Sequence, residues 1–172
     1  MDDRVLVAYA TRNGSTTDVA TAIGWRLRER GSLVDIVAAE YVDSVKPYTA
    51  VVLGSPIYHG RWLPEAMDFL RLFDSHLRRI PVAFFVTGIS QQGDREMNRQ
   101  RMRSSIAPAI RIVRPVSVGM FAGHMDHERI PWGRRMLLKF SRSSEGNYRD
   151  FEAIRSWATD LSVQLQKHYH LV

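Results

Sequence analysis

The sequence contains no cysteine, which excludes disulfides, iron–sulfur clusters and zinc–thiolate sites and gives no reason to expect an oxidising compartment. No apolar run comes near the roughly 20 residues a bilayer-spanning helix needs, so an integral membrane protein is not expected. The opening Met1-Asp2-Asp3-Arg4 leads straight into an apolar segment, without the apolar core and cleavage site of a secretory signal, and a cytoplasmic setting is expected. Zinc-finger spacing, an aromatic RNA-binding signature and a helix-turn-helix pattern are missing too, so neither nucleic acid nor a bound metal is an expected partner.

What is present fits one domain over residues 1–172, since 172 residues with 45% hydrophobic content can bury a core without a staple. Lysine and arginine number 24 against 18 acidic residues, a net charge of +6 that draws the chain toward anions, whether nucleic acid, an anionic lipid or an acidic small molecule, and charge alone does not choose among them.

Apolar runs alternate with helically periodic segments. Strands are predicted at Arg4–Ala10, Leu33–Ala38, Ala50–Gly54, Val82–Gly88 and Val116–Gly123. Helices are predicted at Ser15–Arg30, Leu63–His76, Arg95–Ala107 and Tyr148–His168, the last with Phe151, Ile154, Leu161 and Leu165 near one apolar face. Continuous apolar strands separated by helices give an α/β fold: a doubly wound, five-stranded parallel sheet with helices on both faces. Ligands of such sheets sit outside the carboxyl ends of the strands, which directs attention to the loops after Ala10, Gly54 and Gly88. The connection at about 126–147, between the last strand and the last helix, is longer than usual and reads as an insertion.

The first of these loops is Thr11-Arg12-Asn13-Gly14-Ser15-Thr16-Thr17. A helix start with free main-chain N–H groups and a positive dipole end makes an anion site, and hydroxyls add donors. Neither the Gly-Lys-Ser/Thr of a nucleotide P-loop nor the Gly-x-Gly-x-x-Gly of a dinucleotide fold is present, so the loop suits one phosphate monoester. The competing reading is that Thr11 or Ser15 merely caps the helix.

This loop resembles that of the flavodoxins, Thr/Ser-x-Thr-Gly-x-Thr, with Asn13 in place of a hydroxyl. The resemblance implies a flavodoxin-like fold and flavin mononucleotide (FMN) as cofactor, its phosphate held by Thr11, Arg12, Asn13, Gly14, Ser15 and Thr16. The same resemblance places the isoalloxazine ring against the loop after the third strand, Ser55-Pro56-Ile57-Tyr58-His59-Gly60, which Pro56 and Gly60 mark as tight. Tyr58 is the favoured stacking ring and Trp62 the alternative; packing of either ring beneath the loop is the competing reading. A third loop contributes Thr87, Gly88, Ile89, Gly93 and Asp94 and lacks the second stacking tyrosine that flavodoxins often supply, which leaves one flavin face open to a substrate. His59 is a weak candidate proton relay, against the plainer reading of a solvated loop histidine.

Within the insertion, Trp132, Met136 and Phe140 recur at four-residue steps beside a stripe of Arg135, Lys139 and Arg142. Such a basic amphipathic segment reads as a membrane-surface helix or a clamp for an apolar acid, or else as a packed helix with solvated arginines. Together with Thr11-Arg12-Asn13-Gly14-Ser15-Thr16 and Tyr58-His59-Gly60, it is similar to the menaquinone-dependent protoporphyrinogen oxidases, although the loop that begins Thr87-Gly88 departs from their pattern. That resemblance implies a flavin that takes hydride from a porphyrinogen and passes electrons to a quinone, at the inner face of the cell membrane as a peripheral protein. Arg61, Trp62, Trp132, Arg134 and Arg135 are then the expected substrate or membrane contacts. Basic surroundings agree: an arginine ~10 Å from a reduced, anionic flavin at a dielectric of ~20 favours it by roughly 1.7 kcal/mol. Two alternatives stay open: an electron carrier without a small-molecule substrate, and an NAD(P)H:quinone reductase.

Overall fold

The computed structural model describes residues 3–89, 95–122 and 148–169. Strand β1 (Arg4–Tyr9) leads into helix α1 (Ser15–Glu29), followed by β2 (Leu33–Ala38) and a short 3-10 turn at Ala39–Tyr41. Then come β3 (Ala50–Tyr58), the two-residue β4 (Arg61–Trp62), α2 (Pro64–Leu77), β5 (Val82–Ile89), α3 (Arg95–Ile112), β6 (Ser117–Ala122) and a closing helix α4 (Tyr148–Tyr169). The parallel strands lie in the order β2-β1-β3-β5-β6, while β4 pairs antiparallel with β3 and makes the sheet six-stranded rather than five-stranded.

Both faces of the sheet are covered, as apolar strands require. Alternation along β1 sends Val5 and Val7 to one face and Leu6 and Ala8 to the other. The first face packs against Val19, Ile23 and Leu27 of α1 and Ile154, Ala158, Leu161 and Leu165 of α4. The second packs against Phe69 and Leu70 of α2 and Met102, Ile106 and Ala109 of α3. Gly54 is a packing requirement of β3, because a Cβ there would lie 1.9 Å from the ring of Phe85 on β5, its register partner.

Two elements outrun their predicted ends by more than a residue. Helix α3 continues through Pro108 to Ile112: Pro108 is exposed, so the carbonyl it cannot serve opens to solvent, while Ala109 and Val113 extend the buried face. Strand β3 extends past Gly54 to Tyr58, because β4 folds back on it and β5 stays in register through Pro56–Thr87. The stretch predicted to be a loop is therefore mostly strand. The insertion at 126–147, with Trp132, Arg134 and Arg135, lies outside the described residues, as do Gly93 and Asp94. Among the described residues no helix is long and apolar enough to cross a membrane, and no cluster of ligating side chains could hold a metal ion.

Candidate functional site

The carboxyl ends of β1, β3 and β5 bring the first loop, the β3–β4 hairpin and the Thr87-Gly88 end of β5 to one edge of the sheet. The first loop leaves the sheet where the Ala10 amide donates to the Gly54 carbonyl at 2.9 Å. It turns at Gly14, whose φ of 85° is a left-handed conformation that a side chain would strain, and whose missing Cβ faces open space. The Gly14 amide donates to Thr11 Oγ1 at 3.0 Å, which leaves the Thr11 hydroxyl proton free to point elsewhere.

Helix α1 starts at Ser15 with no side-chain cap. Its first main-chain bond runs from the Asp18 amide to the Gly14 carbonyl, so the amides of Ser15, Thr16 and Thr17 have no acceptor within the helix. Thr11 takes only the Gly14 amide, one residue ahead of the helix, so the capping reading of Thr11 holds there, while the amides of Ser15, Thr16 and Thr17 remain open. Ser15 and Thr17 are partly exposed and Asn13 is exposed, which surrounds these amides with further donors.

Three hydroxyls of the expected contact set point inward instead. Thr16 is fully buried, and its Oγ1 lies 3.0 Å from that of Thr87, itself 1% exposed. Ser55 is fully buried, with its Oγ accepting from the Leu63 amide at 2.9 Å and donating to the Pro56 carbonyl at 3.0 Å. These three side chains fasten the loops to one another, which sequence spacing does not reveal.

Arg12 is likewise engaged within the protein. Its guanidinium holds the Glu65 carboxylate at both oxygens, at 2.7 and 3.2 Å, and so ties the loop to the first turn of α2. This bond is the main reason the Glu65 carboxyl is held below the usual glutamate range and the Arg12 pKa is raised. A carboxylate at a helix start also favours the α2 dipole. Nothing in the sequence links residues 12 and 65, and Glu65 was not among the expected site residues.

In the hairpin, Tyr58 pairs with Arg61 and Ile57 with Trp62. The turn residues His59 and Gly60 have φ of 49° and 75°, the two positive values of a type I′ turn, with His59 where asparagine is usual. Tyr58 is 54% exposed and meets the His59 ring edge-on at 4.5 Å, whereas Trp62 is only 4% exposed. The Trp62 indole packs edge-on against Phe84 in the core at 5.0 Å. The expected role of Trp62 as a stacking ring or substrate contact is corrected accordingly: it supports the hairpin from below. Arg61 is exposed beside Tyr58. Gly88, with φ of 90°, sits against the Ile57 main chain and completes the wall, where the β5–β6 register shifts.

A cavity of about 590 Å³ opens between the hairpin and α3, lined by Ile57, His59, Gly60, Met97, Gln100, Arg101 and Ser104. The four α3 residues were missed by the reading of the sequence, although their three- and four-residue spacing puts them on one helix face.

Uncapped amides, an open glycine, neighbouring hydroxyls and an exposed aromatic ring on one sheet edge form a donor set that fits a flat cofactor ending in a phosphate. A family model described as Flavodoxin domain matches residues 6–152. The chain belongs to that flavodoxin domain family. It is similar to protoporphyrinogen IX dehydrogenase (quinone) of Escherichia coli K12, with 21% identity over 173 residues, covering 92% of this chain and 94% of the relative. The protein of the same description from Leishmania major is 24% identical over 178 residues, covering 93% and 75%. Among solved structures, flavodoxin 1 of Bacillus cereus has a TM-score of 0.63 at 14% identity, covering 94% of this chain and 97% of that one.

Proposed function

We propose that the chain is an FMN-dependent oxidoreductase that dehydrogenates a porphyrinogen-type substrate and delivers the electrons to a quinone. The observation that carries this reading is the uncapped start of α1 behind the open turn at Gly14, on the same sheet edge as the exposed Tyr58 ring. Two relatives that match along more than nine-tenths of this chain and bear the name protoporphyrinogen IX dehydrogenase (quinone) support the choice of substrate and acceptor.

The amides of Ser15, Thr16 and Thr17, with the hydroxyls of Thr11 and Ser15, would hold the cofactor's phosphate. Tyr58 would cover one face of its ring, and the main chain of the hairpin and of Gly88 would supply polar groups along its edge. When bound, FMN supplies a two-electron acceptor, which no side chain of this protein offers. Arg12 and Glu65 fix the loop rather than bind the ligand. Arg61 adds a positive charge beside Tyr58, which favours an anionic substrate and a reduced flavin. His59 is the side chain of the hairpin that we assign to proton relay. A quinone acceptor resides in the membrane, so this reading sets the protein at the inner membrane face as a peripheral partner.

The test is anaerobic mixing of the FMN-loaded protein with protoporphyrinogen IX, followed by a menaquinone analogue. Bleaching of the flavin absorbance by the first and its return with the second are expected. A flavin that stays oxidised in the presence of the porphyrinogen overturns the substrate assignment.

A further inference from the structure

The groove between the hairpin and α3 belongs to neither the phosphate cradle nor the core. Its volume of about 590 Å³ falls in the range of small-molecule sites. Ile57, which is half-buried and also packs against the core, and Met97, 50% exposed, give it an apolar wall. Gln100, Arg101 and Ser104 lie exposed along the same α3 face and supply donors. Among the described residues, no carboxylate pairs with the Arg101 guanidinium, in contrast to Arg4, Arg12, Arg26, Arg71, Arg78 and Arg155. A guanidinium at the rim of an apolar groove, without a carboxylate among the described residues, recognises an anion on an apolar body. One such group matches a carboxylate, whose two oxygens it can meet bidentately, better than a phosphate monoester carrying close to two charges.

We propose that this groove binds the carboxylate end of an apolar acid, with Arg101 as the anchoring cation and Met97 and Ile57 as the apolar contacts. Its role as the point where a substrate is held beside the flavin rests on the function proposed above, whereas the binding itself is read from the groove. His59 and Gly60 line it, so the hairpin contributes both to the proposed flavin contacts and to this groove.

The test uses 1-pyrenebutyrate and 1-pyrenebutanol, which share the ring system and differ in the carboxylate, titrated into the full-length protein by fluorescence anisotropy. The acid is expected to bind more tightly than the alcohol. Arg101→Gln is expected to weaken the acid about tenfold or more and the alcohol less than about twofold, the usual scale for a hydrogen bond to a charged group. Ser104→Trp, at an exposed helical position, is expected to fill the groove and weaken both. Equal binding of acid and alcohol, or an acid affinity that Arg101→Gln leaves unchanged, overturns the proposal; so does undiminished binding in Ser104→Trp. FMN titration of the same samples separates the two ideas. Protein that takes pyrenebutyrate but not FMN sinks the flavin reading alone, and protein that takes FMN but not pyrenebutyrate sinks this one alone.

Discussion

The hydroxyls of Thr16 and Thr87 meet 3.0 Å apart inside the protein, 71 residues apart in the chain, and join the first turn of α1 to the end of β5. Both side chains are buried, so neither can exchange the bond for water. Thr87→Val should therefore leave the Thr16 hydroxyl unpaired and cost about 1–3 kcal/mol. The pair Thr16→Val with Thr87→Val should cost clearly less than the sum of the single changes, since two apolar groups then replace two matched polar ones. Urea unfolding of the four proteins measures this coupling, and additive costs would mean that the bond contributes nothing of its own.

Arg12 and Glu65 give the loop a pH dependence. Glu65 ionises more readily in the folded state, chiefly because of its bond to Arg12 and then the bond from its own main-chain N–H. Its contribution to stability is thus present above the unfolded pKa, ordinarily about 4.3, and is lost as pH falls through the lower folded value. With side-chain exposures of 43% and 27%, the pair is screened by solvent and its contribution is small. Carboxyl titration by NMR should show the Glu65 pKa rising in Arg12→Gln, together with a weaker loss of stability on the acid side. An unmoved Glu65 titration would remove the clamp from the account.

Tyr58 and Trp62, four residues apart, separate ligand contact from support. Tyr58→Ala should weaken FMN binding by roughly twofold to tenfold, corresponding to about 0.5–1.5 kcal/mol of ring stacking, and barely alter the melting temperature. Trp62→Phe should lower the melting temperature with less effect on FMN affinity, because Trp62 packs on Phe84 in the core. Quenching of flavin fluorescence and thermal melts read the two effects; the opposite pattern would return the stacking role to Trp62.

The alternation of apolar strands and periodic helices was enough to read the layers, because an apolar run and a helical stripe are local signals. The glycine turn before Ser15 was legible for the same reason. The β3–β4 hairpin was not: Pro56 and Gly60 suggest a loop, and it is the pairing of Ile57 and Tyr58 with Trp62 and Arg61, and of Pro56 with Thr87, that makes the stretch a strand. The inward turn of Thr16, Ser55 and Thr87 and the reach of Arg12 to Glu65 depend on partners brought together by the sheet. The groove face of α3 was written in the spacing of Met97, Gln100, Arg101 and Ser104, but its meaning depended on the hairpin standing opposite.

The central claim, that the amides at the start of α1 grip a phosphate, is tested most directly by comparing the affinities of the flavin-free protein for FMN and for riboflavin, which lacks the phosphate. One FMN per chain, bound at least about 100-fold more tightly than riboflavin, is the expected result, equal to ~2.7 kcal/mol from the phosphate. Equal affinities, or no binding of either flavin, would contradict the account.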